Sequence, residues 1–73
     1  MTPHYSMVIQ WSDEDQTFVV SLPEFGLFCQ THGDTYAEAV RNGEQVIEML
    51  VSSAKDRGEA LPPAKIYPPV YAA

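Results

Sequence analysis

Residues 33–58 read GDTYAEAVRNGEQVIEMLVSSAKDRG and predict one long helix with both of its ends marked. Thr35 and Glu38 have the capping-box spacing, in which a hydroxyl and a carboxylate each satisfy a free backbone N–H at the start of a helix. Basic residues in the last turn suit the negative end of the helix dipole, and Gly58 suits the C-cap. We therefore expect a helix that begins after Thr35 and ends near Arg57.

The apolar residues of this helix recur at steps of three and four, which is the period of a helix that buries one face. They are Ala39, Val40, Gly43, Val46, Ile47, Leu50, Val51 and Ala54. Gly43 lies on this stripe, although glycine costs roughly 1 kcal/mol of helix stability relative to alanine. We interpret Gly43 as a packing residue, because a missing side chain lets the helix approach a sheet closely.

The residues before the helix predict antiparallel strands. In residues 5–11, large apolar side chains stand at alternate positions, which is the period of a half-buried strand. Residues 17–22 alternate in the same way, and the short polar connection between the two runs favours an antiparallel hairpin. Pro23 cannot donate to a sheet ladder and Gly26 permits a positive φ, so the second strand is expected to end there.

Two further strands complete the expected fold. Residues 27–32 predict a third strand, which we expect to break at Gly33. Beyond the helix, residues 64–67 are long enough for one short C-terminal strand, whereas the Pro-Pro pair that follows favours polyproline geometry. The expected fold is α+β: a three-stranded antiparallel meander, one packed helix and a short C-terminal strand, in the order β-β-β-α-β. Residues 1–73 then form a single domain, with 65–73 an arm or a disordered tail.

The length of 73 residues fits one small domain, since domains usually have about 100 to 150 residues. Such a chain builds only a small core, so self-association is a reasonable expectation. Cys29 is the single cysteine and cannot form an internal disulfide, which favours a reducing compartment. No apolar run approaches the roughly 18 residues of a membrane span. We expect an oligomeric protein of the cytoplasm with no membrane contact.

The charge is distributed unevenly along the chain. Ten acidic residues against four basic ones give a net charge of −6. All four bases stand at or after Arg41, whereas six acids precede it, so the first forty residues carry the whole excess. This charge argues against direct binding to the phosphate backbone of nucleic acids. It favours instead a basic protein partner that docks on the N-terminal half.

The sequence offers little for metal binding. Asp13, Glu14 and Asp15 are consecutive and lack the spaced ligands and the glycine of a calcium loop, which indicates a solvated turn. Cys29 and His32 have the spacing of two zinc ligands, but a structural zinc site needs four. Cys29 is more simply interpreted as a small buried hydrophobic residue than as a nucleophile or a ligand.

Catalysis also lacks its partners. A two-metal nuclease would need helix carboxylates to face an acid on the first strand, and that strand has Gln10 and no carboxylate. The helix carboxylates in question are Glu38, Glu44 and Glu48. The aromatic residues of the first half lie in acidic surroundings, which are wrong for stacking nucleobases, so core or interface packing is preferred. The four considered for stacking are Tyr5, Trp11, Phe18 and Phe28. We expect no enzyme activity, no metal and no cofactor.

A series of short motifs resembles a known family. Its centre is Leu22-Pro23-Glu24-Phe25-Gly26-Leu27, followed by Gly33-Asp34-Thr35, by Glu38-Ala39, and by Gly58 with Leu61-Pro62. In order and spacing, these motifs resemble the N-terminal domain of HicB-type antitoxins. The resemblance covers residues 5–63, about four fifths of the chain.

The resemblance implies a degenerate ribonuclease-H-like fold without nuclease activity. It also implies an oligomer that neutralises a small basic HicA-type toxin, which cleaves mRNA, by covering the active surface of the toxin. Many family members continue into a DNA-binding domain, whereas ten residues follow Pro63 here, so we expect no direct binding to an operator. Turns bring side chains to solvent, and the carboxylates expected to contact the toxin are Asp13, Glu14, Asp15 and Glu24. The alternative is a stand-alone oligomeric domain of this fold with a regulatory or small-ligand role and no toxin.

Overall fold

Three strands form one antiparallel sheet in the computed structural model, which describes residues 4–26 and 29–66. Strand β1 is Val8–Ser12, β2 is Thr17–Ser21 and β3 is Gln30–Gly33. They lie in the order β1-β2-β3, so β2 is the central strand and pairs antiparallel with both neighbours. This arrangement confirms the predicted three-stranded meander.

Helix α1, Tyr36–Arg57, packs on one face of the sheet against β2 and β3. Both of its ends are as predicted. Thr35 Oγ1 accepts a hydrogen bond from the Glu38 N–H at 3.1 Å, and Gly58 has left-handed backbone with φ +68°. The Glu38 carboxylate accepts from the N–H of Asp34 rather than from that of Thr35, so the capping box is one residue wider than its usual form.

The core lies between α1 and the face of the sheet that it covers. Val20 and Leu22 are fully buried, and Ala39 and Ile47 of the helix close over them. Half-buried side chains from β1, β2, α1 and the connecting segments pack around this centre: Tyr5, Met7, Ile9, Phe18, Phe25, Cys29, Val46, Leu50 and Val51. The helix stripe and the alternation of the first two strands are therefore confirmed as the buried faces, except at Val40 and Trp11, which are exposed. Among the described residues, no helix is long and apolar enough to cross a membrane.

Strand β1 begins at Val8, later than the predicted start at Tyr5. Its first pair is Val8 with Ser21, the last residue of β2. Since the chain turns into a short 3-10 helix at Pro23, β2 extends no further, and residues 5–7 have no neighbouring strand with which to pair. The predicted boundary is wrong because it depends on where the partner strand ends.

Strand β3 begins at Gln30, and the prediction that it starts at residue 27 is wrong for the described part of the segment. The N–H of Cys29 donates to the Gly26 carbonyl, and its thiol donates to the Phe25 carbonyl at 3.1 Å. These bonds tie Cys29 to the preceding turn, and pairing with β2 begins one residue later, where Gln30 lies opposite Ser21. Residues 27 and 28 themselves lie outside the described residues.

Gly33 belongs to β3, so the prediction that it breaks the strand is also wrong. It pairs with Phe18 of β2, and its carbonyl accepts a hydrogen bond from Thr17 Oγ1 at 3.0 Å. The chain leaves the sheet one residue later, at Asp34. Glycine weakens a strand locally, but it fits this position because another backbone comes close to it.

Residues 64–66 are not in a strand, so the predicted C-terminal strand is not formed in the described residues. The Lys65 N–H donates to a carboxylate oxygen of Glu24 at 2.9 Å, which takes the place of a sheet neighbour. Two prolines just before this segment also lack the N–H that a ladder requires. Tyr67 and the remainder of the predicted arm lie outside the described residues.

Two glycines allow α1 to lie close to the sheet. A Cβ on Gly33 would be 2.5 Å from the backbone nitrogen of Ala39. A Cβ on Gly43 would overlap the Met7 sulfur and would lie 3.2 Å from a methyl group of Val20. The interpretation of Gly43 as a packing residue is confirmed, and Gly33 serves the same purpose at the start of the helix.

We expect Gly33→Ala to lower the free energy of unfolding by about 3 kcal/mol, because the added methyl group meets helix backbone that cannot rotate away. Gly58→Ala is the matched control. A Cβ there meets open space, so the strain of left-handed backbone alone lowers the free energy of unfolding by about 1 kcal/mol. Urea unfolding followed by circular dichroism measures both values. Equal losses in the two variants would contradict the close approach of α1 to β3.

Candidate functional site

Three of the four predicted contact residues lie together in the connection between β1 and β2, which we call the acidic turn (residues 13–16). Asp13, Glu14 and Asp15 are all exposed to solvent. In the part of the chain that the structure describes, the one ion pair lies at the C-terminal end of α1. No cation of residues 4–26 or 29–66 therefore neutralises the three carboxylates of the acidic turn.

Hydrogen bonds fix the conformation of the acidic turn. The Asp15 N–H donates to Ser12 Oγ at 3.2 Å, and that hydroxyl lies 3.1 Å from Asp15 Oδ2, to which it donates. Gln16 has a positive φ of 54° and donates its side-chain amide to the Asp13 carbonyl at 2.6 Å. Because the turn is already ordered, a partner that binds it loses little free energy in fixing its shape.

Three aromatic rings, which we call the aromatic cluster (Trp11, Phe18 and Tyr36), adjoin the acidic turn. The ring centroids of Trp11 and Phe18 are 5.1 Å apart, and those of Phe18 and Tyr36 are 4.4 Å apart. Phe18 is half-buried, whereas Trp11 is 50% exposed and Tyr36 is 67% exposed. Trp11 Nε1 donates to Asp13 Oδ1 at 3.4 Å, which joins the aromatic cluster to the acidic turn.

The exposure of this cluster follows from the path of the helix. Trp11 lies on the same face of the sheet as the core residues, as its alternation with Ile9 predicts. Helix α1 packs against β2 and β3, so it leaves the side chain of Trp11 on β1 half uncovered. Sequence reasoning did not single out Tyr36. The available signal was its spacing of four residues from Val40, which continues the apolar stripe toward the helix start.

Glu24, the fourth predicted contact residue, lies apart from the acidic turn. The acidic turn precedes β2 and Glu24 follows it, and this strand of five residues spans roughly 16 Å. The Glu24 carboxylate accepts hydrogen bonds from the Ser6 N–H at 3.1 Å, the Ser6 hydroxyl at 3.0 Å and the Lys65 N–H at 2.9 Å. It therefore ties the segment before β1 to the segment after α1. Contact between Glu24 and a partner stays a prediction.

A second hydrogen bond joins the same two segments. The Tyr5 hydroxyl donates to the Pro62 carbonyl at 2.6 Å, and the Tyr5 ring packs edge-on against Phe25 with centroids 4.7 Å apart. Tyr5, Ser6, Glu24, Pro62 and Lys65 form what we call the terminal clasp. Its contacts are remote in sequence, so it holds together parts of the chain that no strand pairing connects.

The hydrogen bonds of the terminal clasp favour the ionised form of Glu24. Partial burial of the carboxyl opposes ionisation, but the backbone N–H groups of Lys65 and Ser6 together with the Ser6 hydroxyl outweigh it. They lower the pKa of Glu24 below its ordinary value of 4.5. A carboxylate with a lowered folded-state pKa stabilises the fold above its unfolded pKa, and this contribution is lost as the pH falls through the folded pKa.

We expect Glu24→Gln to lower the free energy of unfolding by about 1 kcal/mol at neutral pH, because the amide keeps one acceptor oxygen and loses the charge. The deficit relative to the unsubstituted protein should shrink as the pH falls from 4.5 through the lowered pKa of folded Glu24, where the carboxyl becomes protonated. Urea unfolding across this range measures the deficit. Glu48→Gln, on the exposed side of α1, is the control and should change stability little. A deficit that is constant with pH would contradict the clasp.

The sheet face opposite α1 is uncovered in the described residues and mostly polar. By the register of the strands, the side chains on it are Val8, Gln10, Ser12, Thr17, Val19, Ser21, Gln30 and His32. An open groove of about 480 Å³ crosses this face beside the acidic turn, with Asp15, Thr17 and His32 among its lining residues. The groove is shallow and open, so it lacks the enclosure of a typical small-molecule site.

Side chains that were considered for metal binding or catalysis make other contacts. The Cys29 thiol donates to the backbone, and the half-buried Cys29 packs against the core, as expected for a small hydrophobic residue. The Glu38 carboxylate caps α1, while Glu44 and Glu48 are exposed on the helix. Within residues 4–26 and 29–66, no three histidine, cysteine, aspartate or glutamate side chains come together as a metal site would require.

Comparisons with protein-family models, with curated proteins and with solved structures find no match to this chain. A function must therefore be argued from the described residues themselves. Their most suggestive feature is the exposed acidic turn beside the exposed aromatic cluster. Carboxylates and flat apolar rings at one corner suit a protein partner that carries both positive charge and apolar surface.

Proposed function

We propose that this protein is a HicB-like antitoxin that binds and neutralises a small basic HicA-type toxin, which cleaves mRNA. The observation that carries the proposal is the exposed acidic turn beside the exposed aromatic cluster. Carboxylates without internal cations attract a basic partner, and tryptophan and tyrosine are the residue types that most often dominate interface energetics. The resemblance of the motifs between residues 22 and 62 to those of HicB-type antitoxins, in order and spacing, supports the choice of family.

The proposal extends to the fold, which we interpret as a degenerate ribonuclease-H-like domain. An antiparallel meander followed by one long helix supports this interpretation. Strand β1, Val8–Ser12, carries no carboxylate, which a two-metal nuclease would need. The protein then acts in the cytoplasm by covering its partner, without catalysis and without a cofactor.

The acidic turn and the aromatic cluster have different roles in this proposal. The acidic turn increases the rate of encounter with a basic protein, an effect that weakens as salt screens the charges. The aromatic cluster contributes buried apolar area once the complex has formed, which slows dissociation. Binding should therefore be tight at low salt and should weaken at high salt without disappearing.

Charge reversal of the acidic turn, by Asp13→Lys with Glu14→Lys and Asp15→Lys, is expected to weaken toxin binding by about tenfold or more at low salt. The physical reason is that three attractive charges become repulsive. The measurement is titration calorimetry at two salt concentrations. The titrant is a HicA-type toxin that is made inactive by removal of its catalytic histidine.

A second triple variant is the control for net charge. Glu44→Lys with Glu48→Lys and Asp56→Lys makes the same charge change at exposed positions of α1 and should weaken binding much less. Equal losses in the two triple variants would contradict docking at the acidic turn. If the folded, unsubstituted chain bound nothing at either salt concentration, the antitoxin proposal itself would be wrong.

A second candidate function is a stand-alone oligomeric domain with a regulatory or small-ligand role and no toxin. The observation that favours it is the outer edge of β1. This edge strand contains no charged residue, and Val8 is 41% exposed. Such an edge is a template for pairing with a second copy. Light scattering that shows a monodisperse monomer at high protein concentration would count against self-association under either function. A short basic reading frame beside this one would favour the antitoxin, and its absence would favour the alternative.

A further inference from the structure

We infer that the aromatic cluster and Asp13 together form a receptor for an arginine side chain carried by a basic segment of the partner protein. The inference rests on the proposed function, because it names the chemistry that the partner presents at this corner. It goes beyond charge attraction, since it assigns the central contact to Trp11 and Tyr36.

The aromatic cluster offers flat surfaces that are fixed in orientation. Phe18 is half-buried and contacts both exposed rings, with Trp11 edge-on and Tyr36 tilted by 34°. Rings held from behind lose little side-chain freedom when a ligand stacks on them. A cation placed over the face of an indole or a phenol is attracted by the electron density of that face, and arginine uses this contact more often than lysine.

Asp13 lies where the second half of such a receptor is needed. Its Oδ1 accepts the indole N–H of Trp11 at 3.4 Å, so a carboxylate is held at the edge of the ring. A guanidinium group stacked on Trp11 can direct its N–H groups toward this carboxylate in the plane of the stack. The hydrogen bond to Asp13 also polarises the indole toward a more negative face.

The surroundings select the charge and the shape of the ligand. The three carboxylates of the acidic turn repel phosphate, which excludes the nucleobase stacking that a basic groove would support. An ammonium group is compact and strongly hydrated, whereas a guanidinium group is planar and weakly hydrated and so stacks at lower cost. Val40, which is 37% exposed and one helical turn beyond Tyr36, extends the apolar surface along which the methylene groups of an arginine can lie.

The chain provides its own reporter for the test, because Trp11 is its single tryptophan. We would titrate the full chain at low salt with a hexa-arginine peptide and, separately, with a hexa-lysine peptide, and follow tryptophan emission. The arginine peptide is expected to bind about two- to fivefold more tightly than the lysine peptide. Equal affinity for the two peptides would overturn the inference, since general attraction to negative charge would then explain the binding.

Two variants test the residues. Tyr36→Ala removes an exposed ring at the first residue of α1 and should abolish the preference for arginine while leaving the fold intact by circular dichroism. Asp13→Asn keeps an acceptor for the Trp11 N–H but removes the charge, and it should weaken binding of both peptides. Glu48→Gln removes the same charge from an exposed position of α1 and should change neither affinity. An arginine preference that survives Tyr36→Ala would overturn the inference.

The same variants separate this inference from the proposed function. Weaker binding of the inactive toxin to Tyr36→Ala than to the unsubstituted chain would support the receptor. Equal binding of the toxin to both would overturn the receptor and leave the antitoxin proposal standing. A third outcome is that the toxin fails to bind, while the chain still prefers the arginine peptide and Tyr36→Ala still abolishes that preference. The antitoxin proposal would then be wrong and the receptor would stand.

Discussion

The close approach of α1 to the sheet is the constraint on which the rest of the structure depends. Because Gly33 and Gly43 carry no Cβ, the helix backbone comes within contact distance of β3 and of the core, at positions where a Cβ would have no room. This approach closes a small core around Val20 and Leu22, and it commits the helix to β2 and β3. One consequence is that β1 is less covered, and Trp11 is left half exposed beside the acidic turn.

Local signals made the helix and the hairpin predictable, whereas contacts between distant residues decided the start of β1 and the conformation of residues 64–66. Capping residues and a C-terminal glycine specify where α1 begins and ends, because their hydrogen bonds lie within a few residues. The start of β1 depends on where β2 stops, which its own alternation does not contain. In residues 64–66, the described part of the predicted C-terminal strand, the Lys65 N–H donates to Glu24, 41 residues away, and not to a strand.

The candidate site was predictable in part for the same reason. Asp13, Glu14 and Asp15 are exposed because turns between strands face solvent, a property of local sequence. Glu24 also lies in a turn, but long-range hydrogen bonds direct its carboxylate into the terminal clasp. The exposure of Trp11 and Tyr36 follows from the position of α1 over the sheet, which no pattern in β1 reveals. The sequence thus indicates the charge of the acidic turn, while the packing of the helix decides the exposure of the aromatic cluster.

The central claim is that a basic partner docks where the acidic turn meets the aromatic cluster. Amide hydrogen exchange of the chain, with and without an inactive HicA-type toxin, tests this claim most directly. Backbone groups covered by a partner exchange more slowly, and the readout does not depend on substitution. The account predicts slower exchange in residues 12–17 and in the first turn of α1, with little change in the last two turns of α1. Slower exchange confined to the C-terminal half of α1, or no change on addition of that protein, would contradict it.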